Sequence, residues 1–386
     1  MRPERIAGRA RARREPATPS QSDELARHPP FARLERTGRV RDGRSLVASP
    51  VERRLASLRA ILMQSDAGIR AQFPEYFLTY YTYLRIIRNP PRIEHVFQKA
   101  RDMYRYLEAE GKDVLDLGAG FGLEALLVAI YGARRVVATE IDRDMVEVGR
   151  YLAERMDPPM TNFESKYGDG IAMQFPSASF DGVMANCVIS HVRDLEGFLG
   201  EAHRLLRPGG IFFLSDENNS LFLPARPRRR RGWRQMEREP RGPYFAARLA
   251  FIGEHFPQIT GNELLETARL TRGLVGKDIL SAVQEYQASR RVAARPAFLY
   301  RDPVDGQYPE RELNPYWLMR KFRDAGLKPE LLPAFFSRSI ENNPRQWVKD
   351  VLRFFCSLVP PLSVYVWPIM RLRGRKPVLT PSAGVS

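Results

Sequence analysis

Residues 114–122 read Val-Leu-Asp-Leu-Gly-Ala-Gly-Phe-Gly, and no other stretch restricts the fold as tightly. Val114 to Leu117 is short, β-prone and ends in a glycine cluster, the pattern of a buried strand. Leu123 to Tyr131 follows, apolar with Glu124 in its first turn, and stops at Gly132. That predicts a helix with a defined start and end. A glycine turn between a buried strand and a helix lets a ligand lie against bare backbone beside the helix N-terminus.

The spacing narrows the ligand. Gly118, Gly120 and Gly122 alternate, whereas the dinucleotide fingerprint needs its third glycine one place later, where Leu123 stands. No Gly-Lys-Ser/Thr follows, so the turn is not a P-loop. Val136 to Glu140 then forms a second strand that ends in an acid 22 residues after Gly118. A carboxylate there can accept both hydroxyls of a ribose. Strand, turn, helix, strand and acid make one βαβ unit suited to a nucleoside.

At this point the sequence resembles a family, the class I S-adenosylmethionine (SAM) methyltransferases, in the small-molecule branch often called type 11. Its first two motifs match Val114 to Gly122 and Val136 to Asp142. Tyr167 to Gly170, Phe180 to Val183 running into Asn186 to Val192, and Leu206 to Leu214 complete the set. The resemblance covers about residues 95–219 well and 314–336 loosely. It implies an α/β fold, a doubly wound, mostly parallel, Rossmann-like sheet with a helical cap. It implies SAM as cofactor and a small or lipid-linked acceptor, with no metal.

The resemblance also implies the cofactor residues: Asp116, Gly118, Ala119 and Gly120 for the methionine end, Glu140 for the ribose, and Ile141, Asp169, Gly170 and Asn186 around the rest. Asp169 lies just past a third strand expected over Asn162 to Lys166, placed to accept from an adenine amino group. The structural alternative for Asp169 is an Asx-turn before Gly170, and the resemblance favours the adenine contact. His191, beyond the end of the fourth strand, is the candidate general base, since imidazole titrates near neutrality. Cys187 follows Asn186 where cytosine-carbon methylating enzymes carry Pro-Cys, so it reads as a small buried residue.

Charge bears on the partners. The chain has a formal net charge of +16. Residues 1–59 hold 15 Arg and 7 acids, and residues 226–241 hold 8 Arg and 2 Glu. The motif-bearing part, 95–219, carries 13 Lys/Arg against 20 Asp/Glu. An enzyme that grips a phosphate backbone concentrates positive charge around its site. Here the positive charge sits in a tail and an insertion, which argues against a nucleic-acid methyltransferase and for solvated segments. A non-catalytic SAM-binding protein is the other alternative. Two cysteines make no disulfide framework, and the basic N-terminus has no apolar run behind it, so a cytoplasmic setting is expected.

Residues 1–50 form an Arg/Pro-rich tail expected to be disordered, and Met63 offers a later start. Residues 51–93 form a helical segment or lid. Leu55, Leu58, Ile61 and Leu62 recur at helical spacing, and an aromatic helix runs from Phe73 to Leu84. Asn89-Pro90-Pro91 reads as a turn. Residues 94–219 are the SAM-binding core, opened by a helix with Val96, Ala100, Met103, Tyr104 and Leu107 on one face that ends at Gly111. Residues 220–312 are a helical insertion over the acceptor. Thr260 and Glu263 there form a capping box.

Residues 313–376 return to the methyltransferase fold, with a further helix from Asn343, and 377–386 are a tail. Phe354 to Met370 is uncharged and is followed by Arg371, Arg373, Arg375 and Lys376. Its length and prolines argue against a membrane span. It reads either as an antiparallel seventh strand over Val364 to Arg373, edged or bulged by Pro368, or as an apolar lip with a basic collar making peripheral contact with anionic lipid.

Overall fold

The computed structural model describes residues 49–64, 90–218, 220–223, 226–295, 301–306, 311–333, 351, 354–355 and 359–378. The arginine-rich tail, the tyrosine-rich segment at 73–84 and the start of the helix expected at Asn343 lie outside them.

Helices α1 (Pro50–Gln64) and α2 (Pro90–Tyr106) precede β1 (Asp113–Leu117). Then follow α3 (Leu123–Tyr131), β2 (Arg135–Glu140), α4 (Arg143–Glu154), β3 (Phe163–Tyr167), β4 (Phe180–Asn186), α5 (Leu195–Leu205) and β5 (Leu206–Glu217). Among the described residues the insertion holds four helices: α6 (Arg226–Met236), α7 (Pro243–His255), α8 (Gly261–Leu270) and α9 (Lys277–Ser289). The chain closes with α10 (Pro315–Asp324), β6 (Lys328–Leu331), α11 (Pro360–Val366) and β7 (Ile369–Arg375).

Among the described residues the strands form one seven-stranded sheet in the order β3-β2-β1-β4-β5-β7-β6. Strands β1 to β5 pair in parallel, and β7 runs antiparallel to both β5 and β6. The expected doubly wound α/β fold is therefore present. Strand order reverses between β1, which carries Leu115 against Val137 of β2, and β4, which carries Val183 against Leu115 from the other side. Ligands of open α/β sheets bind at such a switch point, outside the strand carboxyl ends.

Both faces are covered, which is why successive residues of β1 and β4 are buried rather than alternate ones. On one face, Leu58, Leu62, Phe97, Ala100 and Met103 of α1 and α2 pack with Leu126, Leu127 and Ile130 of α3. On the other, Phe198, Leu199 and Ala202 of α5 pack with Leu318 and Phe322 of α10. The insertion has an apolar cluster of its own, with Phe245, Ile252, Ala268, Ile279 and Val283 at its centre.

Four local expectations are corrected. Pro90 and Pro91 open α2 instead of forming a turn, because proline lacks only an N–H that the first helical turn leaves unused. The same helix stops at Tyr106, short of Gly111, where Glu108 turns to φ +52°. The arginine run of 226–236 is itself helical. Helix α8 starts after Thr260 as the pattern predicts, but Thr260 makes no side-chain cap. Glu263 is engaged instead with Arg290, so the reciprocal box does not form.

The C-terminal stretch differs most. Residues Pro360 to Val366 are helical, and the strand begins only at Ile369. Pro368 stays outside the ladder, so β7 sits in the sheet interior rather than at an edge. Its basic residues are used within the fold. Arg371 is buried, 3.4 Å from Asp102, with its guanidinium over the rings of Tyr106 and Phe213. Arg373 donates to Glu330, Arg375 to Glu108, and Lys376 to the carbonyls of His203 and Leu206. They do not form an outward collar.

Candidate cofactor and acceptor site

The first wall of the crevice is the glycine turn after β1. The Gly118 and Ala119 N–H groups both donate to the Thr139 carbonyl at 2.9 Å, which folds the turn onto the end of β2. Gly118 has φ +71°, and a Cβ there would lie 2.3 Å from Val188 Cγ2, so only glycine fits. Gly120 has φ +56° and donates its N–H to Glu140 Oε2 at 2.9 Å. The other oxygen of Glu140 accepts the N–H groups of Ile141 (2.8 Å) and Asp142 (3.2 Å). One carboxylate thereby holds the turn and the start of α4 together.

Behind the turn lies Asp116, buried on β1, with Oδ1 accepting no hydrogen bond. Burial, and then the nearby Glu124 and Glu140, push its carboxyl well above the usual range. Glu124 faces it from the first turn of α3. Asn186 Nδ2 donates to Glu124 Oε1 at 3.2 Å, and Lys99 Nζ of α2 stands 3.7 Å from the same oxygen. An unpartnered buried acceptor on Asp116 and a cation on Lys99 thus both stand near Glu124.

The second wall is apolar. Ile141 is 62% exposed and Ile171 37%, although both adjoin the strand carboxyl ends. Asp169 Oδ1 accepts the N–H groups of Ile171 (2.9 Å) and Ala172 (3.1 Å), so the Asx-turn reading holds for one of its oxygens. Gly170, at φ +73°, is buried against Phe198.

The third wall is the loop after β4. Cys187 is exposed, not buried as its small size suggested. Its φ of +54° breaks the strand and points it away from the core. The loop is fixed from β5: Cys187 N–H donates to the Ser215 carbonyl at 2.7 Å, and Ser190 N–H to Asp216 Oδ2 at 3.3 Å. It is also fixed by the segment returning from the insertion. Arg311 donates its backbone N–H to the Ser190 carbonyl and its guanidinium to the carbonyls of Val192 and Arg193. Burial raises the Asp216 carboxyl to about 6, and its Ser190 contacts and the nearby His191 oppose that rise. His191 is exposed at the end of this loop.

The structure thus brings Asp116, Gly118, Ala119, Gly120, Glu140, Ile141 and Asn186 to one crevice. Asp169 and Gly170 stand on the next loop along, and His191 on the loop beyond β4. Sequence reasoning missed Lys99, Asp216 and Arg311. Lys99 left only the faint signal of a charge beside the apolar stripe of α2. Arg311 left none, because its partners lie 118 and 119 residues away.

No metal-binding group of three His, Cys, Asp or Glu is found among the described residues, and no helix among them is long and apolar enough to cross a membrane. The family described as "Methyltransferase domain" matches residues 115–214. A protein of Mycolicibacterium smegmatis named a probable S-adenosylmethionine-dependent methyltransferase is 35% identical over 132 residues, 34% of this chain and 48% of its own length. The ubiquinone biosynthesis O-methyltransferase of Methylocella silvestris is 37% identical over 125 residues, 31% of this chain and 46% of its own. The sterol 24-C-methyltransferase of Eremothecium gossypii is 30% identical over 174 residues, 43% of this chain and 44% of its own. The chain spans just under half the length of these curated relatives. Residues 115–214 form a methyltransferase domain of the kind these relatives share.

Proposed function

We propose that this protein transfers a methyl group from SAM to a small or lipid-linked acceptor. The observation that carries the reading is the Glu140 carboxylate clamped to Gly120 near the unpartnered, buried Asp116 oxygen. The residues present suit the cofactor. Glu140 offers its oxygens to the ribose diol. Asp116 receives the methionyl ammonium. Bare backbone at Gly118, Ala119 and Gly120 lets that end approach closely, Asn186 bounds it, and Ile141 covers the adenine. Asp169 with Gly170 meets the adenine amino group.

SAM supplies a methyl group already activated by its sulfonium. The chain's own task is in-line positioning and exclusion of water. The loop from Asn186 to Arg193, pinned by Asp216 and Arg311, holds one side of the acceptor. His191 takes the proton from an acceptor hydroxyl as the new bond forms, and it is needed only for weakly acidic nucleophiles. The insertion, 220–312, joins the crevice directly after β5, and this placement supports a role in choosing the acceptor.

The lipid-linked alternative draws support from the relatives named for ubiquinone and sterol chemistry. It asks for peripheral contact with a membrane from a cytoplasmic protein, and the exposed apolar residues near the C-terminus suit it. The test is to incubate the protein with methyl-tritiated SAM and a cell extract. A labelled small molecule extractable into organic solvent is expected. Label confined to nucleic acid, or no transfer despite SAM binding, would overturn the proposal.

A further inference from the structure

The surface around α11 combines two features. Phe354, Phe355, Val359, Leu362 and Tyr365 are all exposed. Leu362 and Tyr365 lie three apart on α11, whose other face buries Ser363 and Val364, so the helix shows one apolar stripe outward and anchors the other. Tyr316 of α10, also exposed, donates its hydroxyl to the Pro361 carbonyl and extends the patch. No charged residue occurs between Phe354 and Met370.

The arginine helix follows at the root of the insertion. Asn218, just past β5, donates its side chain to the carbonyls of Val364 and Trp367, which ties the root of the insertion to the end of α11. Leu223, exposed, follows, and α6 starts at Arg226. Arg226 lies eight positions after Asn218, a reach of at most about 28 Å. Helix α6 holds six arginines and no acid in 11 residues, and Arg231 and Arg234 are exposed. The two acids that follow are used inward: Glu237 pairs with buried Arg248, and Glu239 with Arg269 and Arg272.

We infer that α11 with its flanking aromatics and the arginine helix α6 form one docking surface for an anionic lipid bilayer. The apolar stripe enters the interface while the arginines meet acidic headgroups, the pairing of buried apolar area and basic charge that holds interfacial helices on membranes. The six arginines of α6, with no acid among them, are complementary to an anionic headgroup layer. The end of α11 is held by Asn218, where β5 hands over to the insertion. The inference rests on the lipid-linked reading of the acceptor for its purpose, while its test reads binding alone.

Flotation with vesicles of phosphatidylcholine, alone or mixed with phosphatidylglycerol, decides it. The full chain should float with the mixed vesicles at low salt and not with phosphatidylcholine alone. Each basic residue near an anionic surface strengthens binding about fivefold, so Arg231→Gln with Arg234→Gln should weaken it about twentyfold. Leu362→Ser with Phe355→Ser should abolish flotation. Both double variants should keep the parent's SAM affinity by calorimetry, which separates lost docking from lost folding and from failure of the methyltransferase reading. No flotation at low salt, flotation that both variants retain, or a self-association that the Ser variant abolishes without any vesicle binding would overturn the inference.

Discussion

Glu140 Oε2 accepts the Gly120 N–H at 2.9 Å, so the acid that ends β2 also shapes the glycine turn that ends β1. One side chain therefore serves two purposes, and its loss should be felt twice. Hydrogen bonds to charged groups contribute about 1.5–3 kcal/mol. Glu140→Ala should weaken SAM binding about tenfold or more by calorimetry. Unchanged affinity would remove Glu140 from the ribose site. NAD should show no binding to the parent, because Leu123 occupies the place of the third glycine.

Asp116 should make SAM binding depend on pH. Burial and the acids around it hold its carboxyl well above the ordinary value. A cationic ligand favours the ionised form and pulls that value down, so binding should release protons and strengthen as pH rises. Calorimetry in buffers of different ionisation enthalpy measures the release. Asp116→Asn should lose affinity and the proton release together. Release that persists in the variant would place its source elsewhere.

Asp216 should contribute a stability change of the opposite sign to most carboxylates. Burial raises it from 3.8 to about 6 in the folded chain. Between those values the folded state holds the proton that the unfolded state has lost. The contribution to stability is therefore fully present below about pH 4, falls as pH rises to about 6, and is level beyond. That difference corresponds to about 3 kcal/mol. Urea unfolding across this window should show Asp216→Asn with a flatter profile than the parent.

Arg248 is fully buried, and its two terminal nitrogens donate to the two oxygens of Glu237 at 2.8 Å. Arg248→Met would leave that carboxylate buried beside the more distant Arg272, at a cost of about 3–5 kcal/mol. Changing Glu237→Leu as well should restore most of the loss. SAM affinity should stay near the parent's in both, since the pair lies within the insertion. A matching loss of SAM binding would mean that the insertion and the nucleoside crevice unfold as one unit.

Replacing residues 220–312 with a short linker tests the role of the insertion directly. Turnover should vanish while SAM affinity changes only a few-fold. Loss of both would make the insertion part of the core.

Much of the crevice was legible in the sequence because its determinants are local. The glycine turn needs residues without a Cβ at Gly118 and Gly120, and the acid of β2 must end its own strand. Buried strands announce themselves by short, mostly apolar runs that end at glycines or acids, and amphipathic helices by their period. These features concern neighbours a few positions apart, so pattern alone reaches them. The tertiary structure decided what depends on distant partners. Arg371 looked like part of a solvent-facing basic cluster, yet β7 enters the sheet between β5 and β6 and buries it against Asp102 and two aromatic rings. Cys187 looked buried by its size, but the left-handed bend after β4 turns it outward. Arg311 reached the loop after β4 only because the chain returns there after the insertion. Burial and pairing are properties of the packed whole, and a charged residue reads the same in sequence whether its partner is water or a carboxylate 269 positions away.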